Sequence, residues 1–562
     1  MEPDNETSLV LSVALTLFIV IVSAGLILGA VAPILEKNSW TGFFGLDGFV
    51  SAPGLSGILK KPAPPAKTAV PAVTVGNNWC DGADITRDGK VNQIDYIALK
   101  SKMGVTGCRQ SNDYCGKADI NRDGKVDSAD LQILTGNLSR TDCTERYIAI
   151  SNCLQLQQIA LDLAGNYKLV QDIDCFATRT WNAGQGFEPI GAFDAFDTLG
   201  FKGTLDGQGH KITGLYIKRL ARDYVGIFGS VSGAGRVKKI VLDAPVVSGR
   251  NNVGALSGYN SGIIENCSVN NGLVRGTQQV GGLVGGTAFW TPPYSTHSTI
   301  KNCNVSAEVS GGTSVGGLVG YNNGLLEFSS AEGKVIGTNL VGGLIGHNPC
   351  GGEIRNSHAS GTVEGKKEVG GLVGLDTGIL KRSFATGAVS GEESVGGLVG
   401  KKQENAIDCF ATGNVSGITN VGGLIGYNWD RGIPENCFAT GNVSGTTNVG
   451  GLIGLNDPYA RDITNSFSTG SVSGTNYVGG LIGYFSNNSL GYTIVNSYFN
   501  HHSGNPSNCV GFGTADCNAI QDNEPYFYNI NNAPLADWNY PPWNNALNGQ
   551  AFPTLIMDYS PE

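Results

Sequence analysis

The stretch "SFATGAVSGEESVGGLVG", Ser383 to Gly400, is answered by "CFATGNVSGITNVGGLIG", Cys409 to Gly426, and by "CFATGNVSGTTNVGGLIG", Cys437 to Gly454. The closing phrase recurs outward in both directions, as VGIFG, VGALSG, VGGLVG or VGGLIG, from Val225, Val253, Val280, Val315, Val341, Val369, Val395, Val421, Val449 and Val478. Most intervals are 26 to 29 residues, a period that marks a solenoid whose units bury apolar surface only by stacking on one another. Short Val, Ile and Phe runs broken by Gly and Asn read as strands, and no 3.6-residue apolar stripe supports helical repeats. The expected fold is mainly β, a right-handed parallel β-helix over residues 147–500. At about 4.8 Å per coil, ten units make a rod on the order of 50 Å long.

Composition agrees. The 83 glycines among 562 residues follow no three-residue period, which excludes collagen. Only 15% of residues are charged and the net charge is -10, so a nucleic-acid partner is not expected. Residues 1–37 contain an uncharged apolar run from Leu9 to Leu35, long enough for a transmembrane helix. "MEPDNETS" before it has no Lys or Arg, and the small-residue site Ala30-Val31-Ala32 is followed by Pro33. An uncleaved anchor to the cell membrane is therefore expected, with a removed signal peptide as the competing reading. Residues 38–79 form a Pro- and Gly-rich linker, with "KKPAPPAKTAVPAV" at 60–73 a semi-rigid spacer.

Between linker and solenoid, residues 80–143 repeat one acidic phrase at an interval of 35 residues: "DITRDGKVNQID" from Asp84 and "DINRDGKVDSAD" from Asp119. Calcium takes six to eight hard oxygen ligands, and a twelve-residue loop supplies them from positions 1, 3, 5, 7, 9 and 12 around a glycine at 6. In the second loop these are Asp119, Asn121, Asp123, the carbonyl of Lys125, Asp127 and Asp130, with Gly124 at the turn. In the first they are Asp84, Thr86, Asp88, the carbonyl of Lys90, Asn92 and Asp95, with Gly89 at the turn. Two Ca2+ ions are expected, the first held more weakly because Thr86 and Asn92 bring fewer charges. Each loop leads into a helix, with Leu99 and Met103, then Leu134 and Leu138, expected to form packing stripes.

This loop-helix pair resembles the dockerin family, small all-α domains of two calcium-binding repeats that dock on cohesin modules of surface or secreted assemblies. The resemblance implies a cohesin-like partner. It also implies recognition roles at the tenth and eleventh loop positions, here Gln93 with Ile94 and Ser128 with Ala129. Thr86 at the third position of the first loop departs from the family pattern. The VGGLVG phrases, introduced by "FKGTLDGQGHKITGLYI" from Phe201, resemble the GLUG motif of adhesin-like surface proteins. That implies surface adhesion or scaffolding, not an activity.

Cysteines follow the same duplication, and bridges Cys80–Cys108 and Cys115–Cys143 are expected. Four cysteines allow three pairings, and a zinc site is the competing reading. Disulfides and a calcium site both suit an extracellular setting for the bulk of the chain. Cys153–Cys175 and Cys509–Cys517 are plausible bridges in the solenoid caps, whereas Cys267, Cys303, Cys409 and Cys437 alternate with serines and read as free, buried thiols.

The acidic residues of the repeats share no common position, so no paired carboxylates recur. Asp206 and His210 in "LDGQGH" read as a capped turn before an acid/base pair, and His501 with His502 as a solvated loop. A non-catalytic surface protein is the expected function. The alternatives are a tethered polysaccharide-active enzyme and a self-associating filament or surface-layer subunit. The C-terminal segment 501–562 is expected to cap the rod. Its Tyr526, Tyr528, Trp538, Tyr540 and Trp543 either plug the last coil or stack on an extracellular glycan. Sequons at Asn137, Asn266, Asn304, Asn414, Asn442 and Asn487 suit an external rod.

Overall fold

A computed structural model describes residues 74–75, 80, 82–109, 113–141, 147–194, 198–288, 298–486, 493–515, 517–538, 542–544 and 549–556. The expected membrane anchor, Leu9 to Leu35, lies outside them. Among the described residues, no helix is long and apolar enough to cross a membrane.

The repeats wind into a parallel solenoid of about ten turns, as their period predicts. A single coil shows the plan. Lys367–Gly370 forms one face, Val373–Asp376 the second, Ile379–Lys381 the third, and Phe384–Ala385 with Val389–Ser390 the fourth. Every strand pairs in parallel with its counterpart one unit on, so Val369 faces Val395 and Val373 faces Val399. Identical positions therefore stack into ladders: Val341, Val369, Val395, Val421 and Val449 are all fully buried, and Leu344, Leu372, Leu398, Leu424 and Leu452 form a second buried row. The paired glycines of each VGG have a steric cause. A methyl group on Gly343 would run into the Gly371 carbonyl oxygen of the next coil.

Polar ladders run beside the apolar ones. Ser329, Ser357 and Ser383 are buried, and each hydroxyl donates to the carbonyl two residues before it. Each also accepts an N–H from the neighbouring coil, as Ser357 Oγ does from Ser329. Cys267, Cys303, Cys409 and Cys437 take the same place as free, buried thiols, as expected. Burial pushes the thiols of Cys267 and Cys437 well above the usual range, with neighbouring Cys303 and Cys409 adding to it. They are packing residues, not nucleophiles.

The outer side of the fourth face carries an aromatic ladder. His358, Phe384, Phe410, Phe438 and Phe467 stack nearly parallel, with centroids 4.8, 4.6, 4.9 and 5.0 Å apart. His358 is half-buried there, its Nδ1 has no hydrogen-bond partner, and burial holds its pKa below the usual value. A base depressed on folding stabilises fully above its unfolded pKa and loses that contribution as pH falls below it, because the unfolded chain takes up the proton first. The rod is expected to melt at lower temperature at pH 5 than at pH 7.5. His358→Phe should extend the ladder by one rung and shrink that difference; an unchanged pH dependence in the variant would refute the assignment to His358.

Both ends differ from a simple plug. Strands Tyr147–Ile150 and Asn166–Leu169 already belong to the third-face sheet, joined by helix Cys153–Gln158 and the bridge Cys153–Cys175. Thr74–Val75, within the expected linker, pairs antiparallel with Tyr147 and Ile148. At the other end, Val510–Phe512 and Asn518–Gln521 add rungs to two faces, and Cys509–Cys517 forms the second bridge expected. Beyond them the chain folds back along the flank and covers the aromatic ladder. Phe527 stacks on Phe467 at 4.7 Å, and Trp543 lies 5.9 Å from Phe438 and 6.1 Å from Phe410. Trp538 Nε1 donates to the Asn465 carbonyl at 2.9 Å, and Trp543 Nε1 to Asp408 Oδ1 at 3.1 Å. Both tryptophans are buried. The expectation of a plug over the last coil, or of rings offered to sugars, is corrected for Trp538 and Trp543, which cover the ladder instead; Tyr526 and Tyr528 stay partly exposed, and Tyr540 lies outside the described residues.

Candidate calcium-binding module

The acidic repeats build two short helices, α1 (Gln93–Lys100) and α2 (Ser128–Gly136). Their starts are written in the loops. Asn92 caps α1 by accepting the Ile94 N–H at 2.7 Å, and Asp127 caps α2 through the Ala129 N–H at 2.8 Å. The third helical residues, Asp95 and Asp130, complete capping boxes by accepting the Asn92 and Asp127 N–H groups. Ligand positions 9 and 12 thus fix the helix starts as well.

The remaining loop bonds repeat with the same 35-residue offset. Asp84 accepts the N–H groups of Asp88 and Gly89 at 3.2 and 2.9 Å. Asp119 accepts those of Asp123 and Gly124 at 3.2 and 3.0 Å. Gly89 and Gly124 have φ of 90° and 95°, a left-handed turn that side chains resist. Lys90 and Lys125 donate their N–H groups to Asp88 and Asp123. Asp95 Oδ1 receives both the N–H and the hydroxyl of Thr86 at 2.9 Å, whereas Asp130 Oδ1 receives the N–H groups of Ile120 and Asn121. Asn121 instead bonds within its loop, to Asp123.

Four carboxylates, Asp84, Asp95, Asp119 and Asp130, are buried. In the first loop Asp84, Asp88 and Asp95 bring carboxylate oxygens within 4.8 Å of one another. Burial lifts the Asp84 carboxyl above its ordinary range, and the charge of Asp95 lifts it further. A divalent cation relieves both effects at once. The donors are all oxygen, as calcium requires, so the residues present fit that ion.

The two halves close on each other. Val126 at position 8 of the second loop exchanges backbone bonds with the chain after α1, through Val126 N–H to Val105 O and Gly104 N–H to Val126 O. Val91 at position 8 of the first does the same with Ser139 and Arg140 after α2. Ala83, Ile85, Val91 and Leu99 share a buried core with Ala118, Val126 and Leu134. An isologous pair satisfies both members and leaves no site for a third, which is why the phrase occurs twice while the solenoid motif is free to multiply.

Two expectations change here. Met103 and Leu138 are exposed, because α1 ends at Lys100 and α2 at Gly136 and the i+4 stripe stops with them. Cys108 is bridged to Cys115, not to Cys80. The pseudo-twofold arrangement causes this: Gly107 and Cys108 donate N–H groups to Gly124 O, which sets the end of the first half against the second loop. Cys80 is also disulfide-bonded, and Cys143 lies outside the described residues. The Cys108–Cys115 bridge removes the four-thiolate zinc reading.

The remaining candidates are accounted for locally. Asp206 pairs with Lys238 at 3.4 Å and accepts the Gln208 N–H, while His210 pairs with Asp172. His501 bonds Gln521, and His502 bonds Ser503 and Asn505. Ile94 and Ile97 are each 58% exposed on α1; Ile97 went unremarked in the sequence, where its i+3 spacing from Ile94 was the available signal.

Comparison with known proteins gives partial matches. Residues of the chain are 43% identical over 124 residues to halomucin of Haloquadratum walsbyi, an alignment covering 22% of this chain and 1% of that protein. A "Putative Gly-rich membrane protein" of Evansella cellulosilytica is 38% identical over 160 residues, 28% of this chain and 17% of its own length. The chain therefore spans a small part of either relative. A crystal structure of a "putative immunoglobulin A1 protease" from Bacteroides ovatus aligns over 74% of this chain and 93% of that one, at 19% identity and a TM-score of 0.31. Residues 82–139 match the dockerin type I domain, and residues 276–310, 337–364 and 417–444 match the GLUG motif, so this chain joins a dockerin type I module to a GLUG-repeat β-solenoid.

Proposed function

We propose that the chain is a non-catalytic, membrane-anchored cell-surface protein. Its dockerin module binds two Ca2+ ions and docks on a cohesin-like partner, while the solenoid presents an adhesive surface. The observation that carries this reading is the closed pair of aspartate-lined loops beside the exposed Ile94 and Ile97. Calcium held by Asn92, Asp95, Asp127 and Asp130 braces the helix starts that these residues already cap, and so steadies those isoleucines for a partner. The apolar run Leu9–Leu35 supplies the anchor, and the names of the two relatives suit a surface location. The chain beyond the anchor then stands outside the cell, with Asn266 and Asn304 exposed for glycosylation.

A glycan-facing role for the rod is supported by a groove on the fourth face, lined by Glu364, Ser390, Asn414, Ser416, Asn442 and Ser444. Ser390, Ser416 and Ser444 stand there in register, one per coil, with Asn414 and Asn442 beside the last two, which suits a repeating saccharide.

The test is binding of the purified ectodomain to a panel of cohesin modules, in calcium and then in chelator. Binding is expected only in calcium, and Ile94→Asp with Ile97→Asp should reduce it at least 100-fold, roughly 3 kcal/mol. Binding indifferent to chelator, or none across the panel, would remove cohesin docking from the proposal. Turnover of any polysaccharide by the same sample would remove its non-catalytic part.

A further inference from the structure

A buried row of side chains runs along the ends of successive second-face strands of the solenoid. Asn322, Asn348, Asp376, Lys402, Asn428 and Asn456 all have 0 to 1% exposure. At two of its steps amides bond amides: Asn322 Nδ2 donates to Asn348 Oδ1 at 2.9 Å, and Asn428 Nδ2 to Asn456 Oδ1 at 2.8 Å. One rung differs. Asp376 and Lys402 are direct register partners, with Nζ 3.0 Å from Asp376 Oδ2 and no solvent exposure on either side chain.

The surroundings of this pair are arranged asymmetrically. Asp376 Oδ1 accepts the Asn348 amide at 2.8 Å and the Gly378 N–H at 3.0 Å. Asp376 Oδ2 is paired with Lys402 Nζ by charge and distance alone and has no hydrogen-bond partner. Lys402 Nζ also donates to the Gly378 carbonyl at 2.9 Å. Two donors on one oxygen, an amine at the other and an acceptor behind the amine are the parts an acyl-transfer site requires.

We propose that Lys402 and Asp376 condense to an intramolecular isopeptide bond that ties two successive coils covalently. Nζ first gives a proton to Asp376 Oδ2, making a neutral amine and a neutral carboxylic acid. The amine attacks Cγ, and negative charge gathers on Oδ1, where the Asn348 amide and the Gly378 N–H receive it. The Gly378 carbonyl holds a second Nζ proton as that proton passes to Oδ2. The Cγ–Oδ2 bond breaks, Oδ2 leaves as water with both protons, and the Nζ–Cγ amide remains. Atoms and charge balance with no oxidant or co-reactant. Burial drives the step, since two charges that cost free energy away from water are replaced by a neutral amide, and the dry site keeps hydrolysis from reversing it.

Mass spectrometry of the ectodomain produced without glycosylation, reduced and unfolded, tests this. The chain should be about 18 Da, one water, lighter than its fully reduced sequence. Trypsin should fail to cut after Lys402, and the peptide Glu368–Lys381 should appear joined to Lys402–Arg431. The variant Asp376→Asn with Lys402→Asn, which restores the amide ladder, should fold and show full mass. Full mass in the wild-type protein would overturn the proposal, as would a mass deficit confined to an unbranched peptide or retained by the double variant.

Discussion

Phe438→Ala is expected to lower the unfolding free energy of the solenoid by about 3–5 kcal/mol, the range for a buried aromatic cut back to alanine. Phe438 is 1% exposed. Its ring stacks between Phe410 and Phe467 and is also packed by Trp538, Trp543 and Phe552, at 6.2, 5.9 and 5.8 Å. The cavity would open where ladder and tail meet, so the tail should loosen with it. Denaturant unfolding measures the first effect. Limited proteolysis within residues 524–556, intact in the wild-type chain and rapid in the variant, measures the second. A loss under about 1 kcal/mol, within the ordinary range for surface changes, would show that the ladder does not hold the tail. Phe438→Leu keeps much of the volume and should cost less.

Asp130→Ala is expected to weaken calcium binding at the second loop by more than about 100-fold, since loss of supporting contacts alone costs up to that at metal sites. The change removes a candidate ligand and the acceptor of three backbone N–H groups, those of Ile120, Asn121 and Asp127, the last of which completes the capping box of α2. Calorimetry should resolve two binding events in the wild-type chain, the tighter one lost in the variant. Thr86→Asn, which gives the first loop the residue its twin carries, should bring the two affinities closer. Saturating calcium near 1,000 times the dissociation constant should add about 4 kcal/mol to the stability of the module. A titration without heat, or a tighter event that survives Asp130→Ala, would contradict the ligand set.

Legibility tracked distance along the chain. Twelve consecutive residues contain a whole candidate calcium loop, so its glycine turn and the helix that follows were readable. The solenoid was readable for a related reason: each unit is copied, and in-register stacking turns a sequence period into a spatial ladder. The buried serine and cysteine row followed from that alone. The buried row through Asn348, Asp376, Lys402 and Asn428 was missed because its members vary in chemistry. The only signal was a fixed place within each unit, seven residues after its repeated valine.

From sequence alone came a parallel β-solenoid, a twofold acidic module ahead of it, and the terminal bridges Cys153–Cys175 and Cys509–Cys517. Only the tertiary structure decided that Cys108 meets Cys115, that α1 and α2 stop short of Met103 and Leu138, and that Trp538 and Trp543 return to Asn465 and Asp408, 73 and 135 residues away. Local hydrogen-bonding demands are written into neighbouring residues. The partner of a distant ring or thiol depends on which surfaces the completed coils leave uncovered, and those surfaces do not exist until the chain has wound.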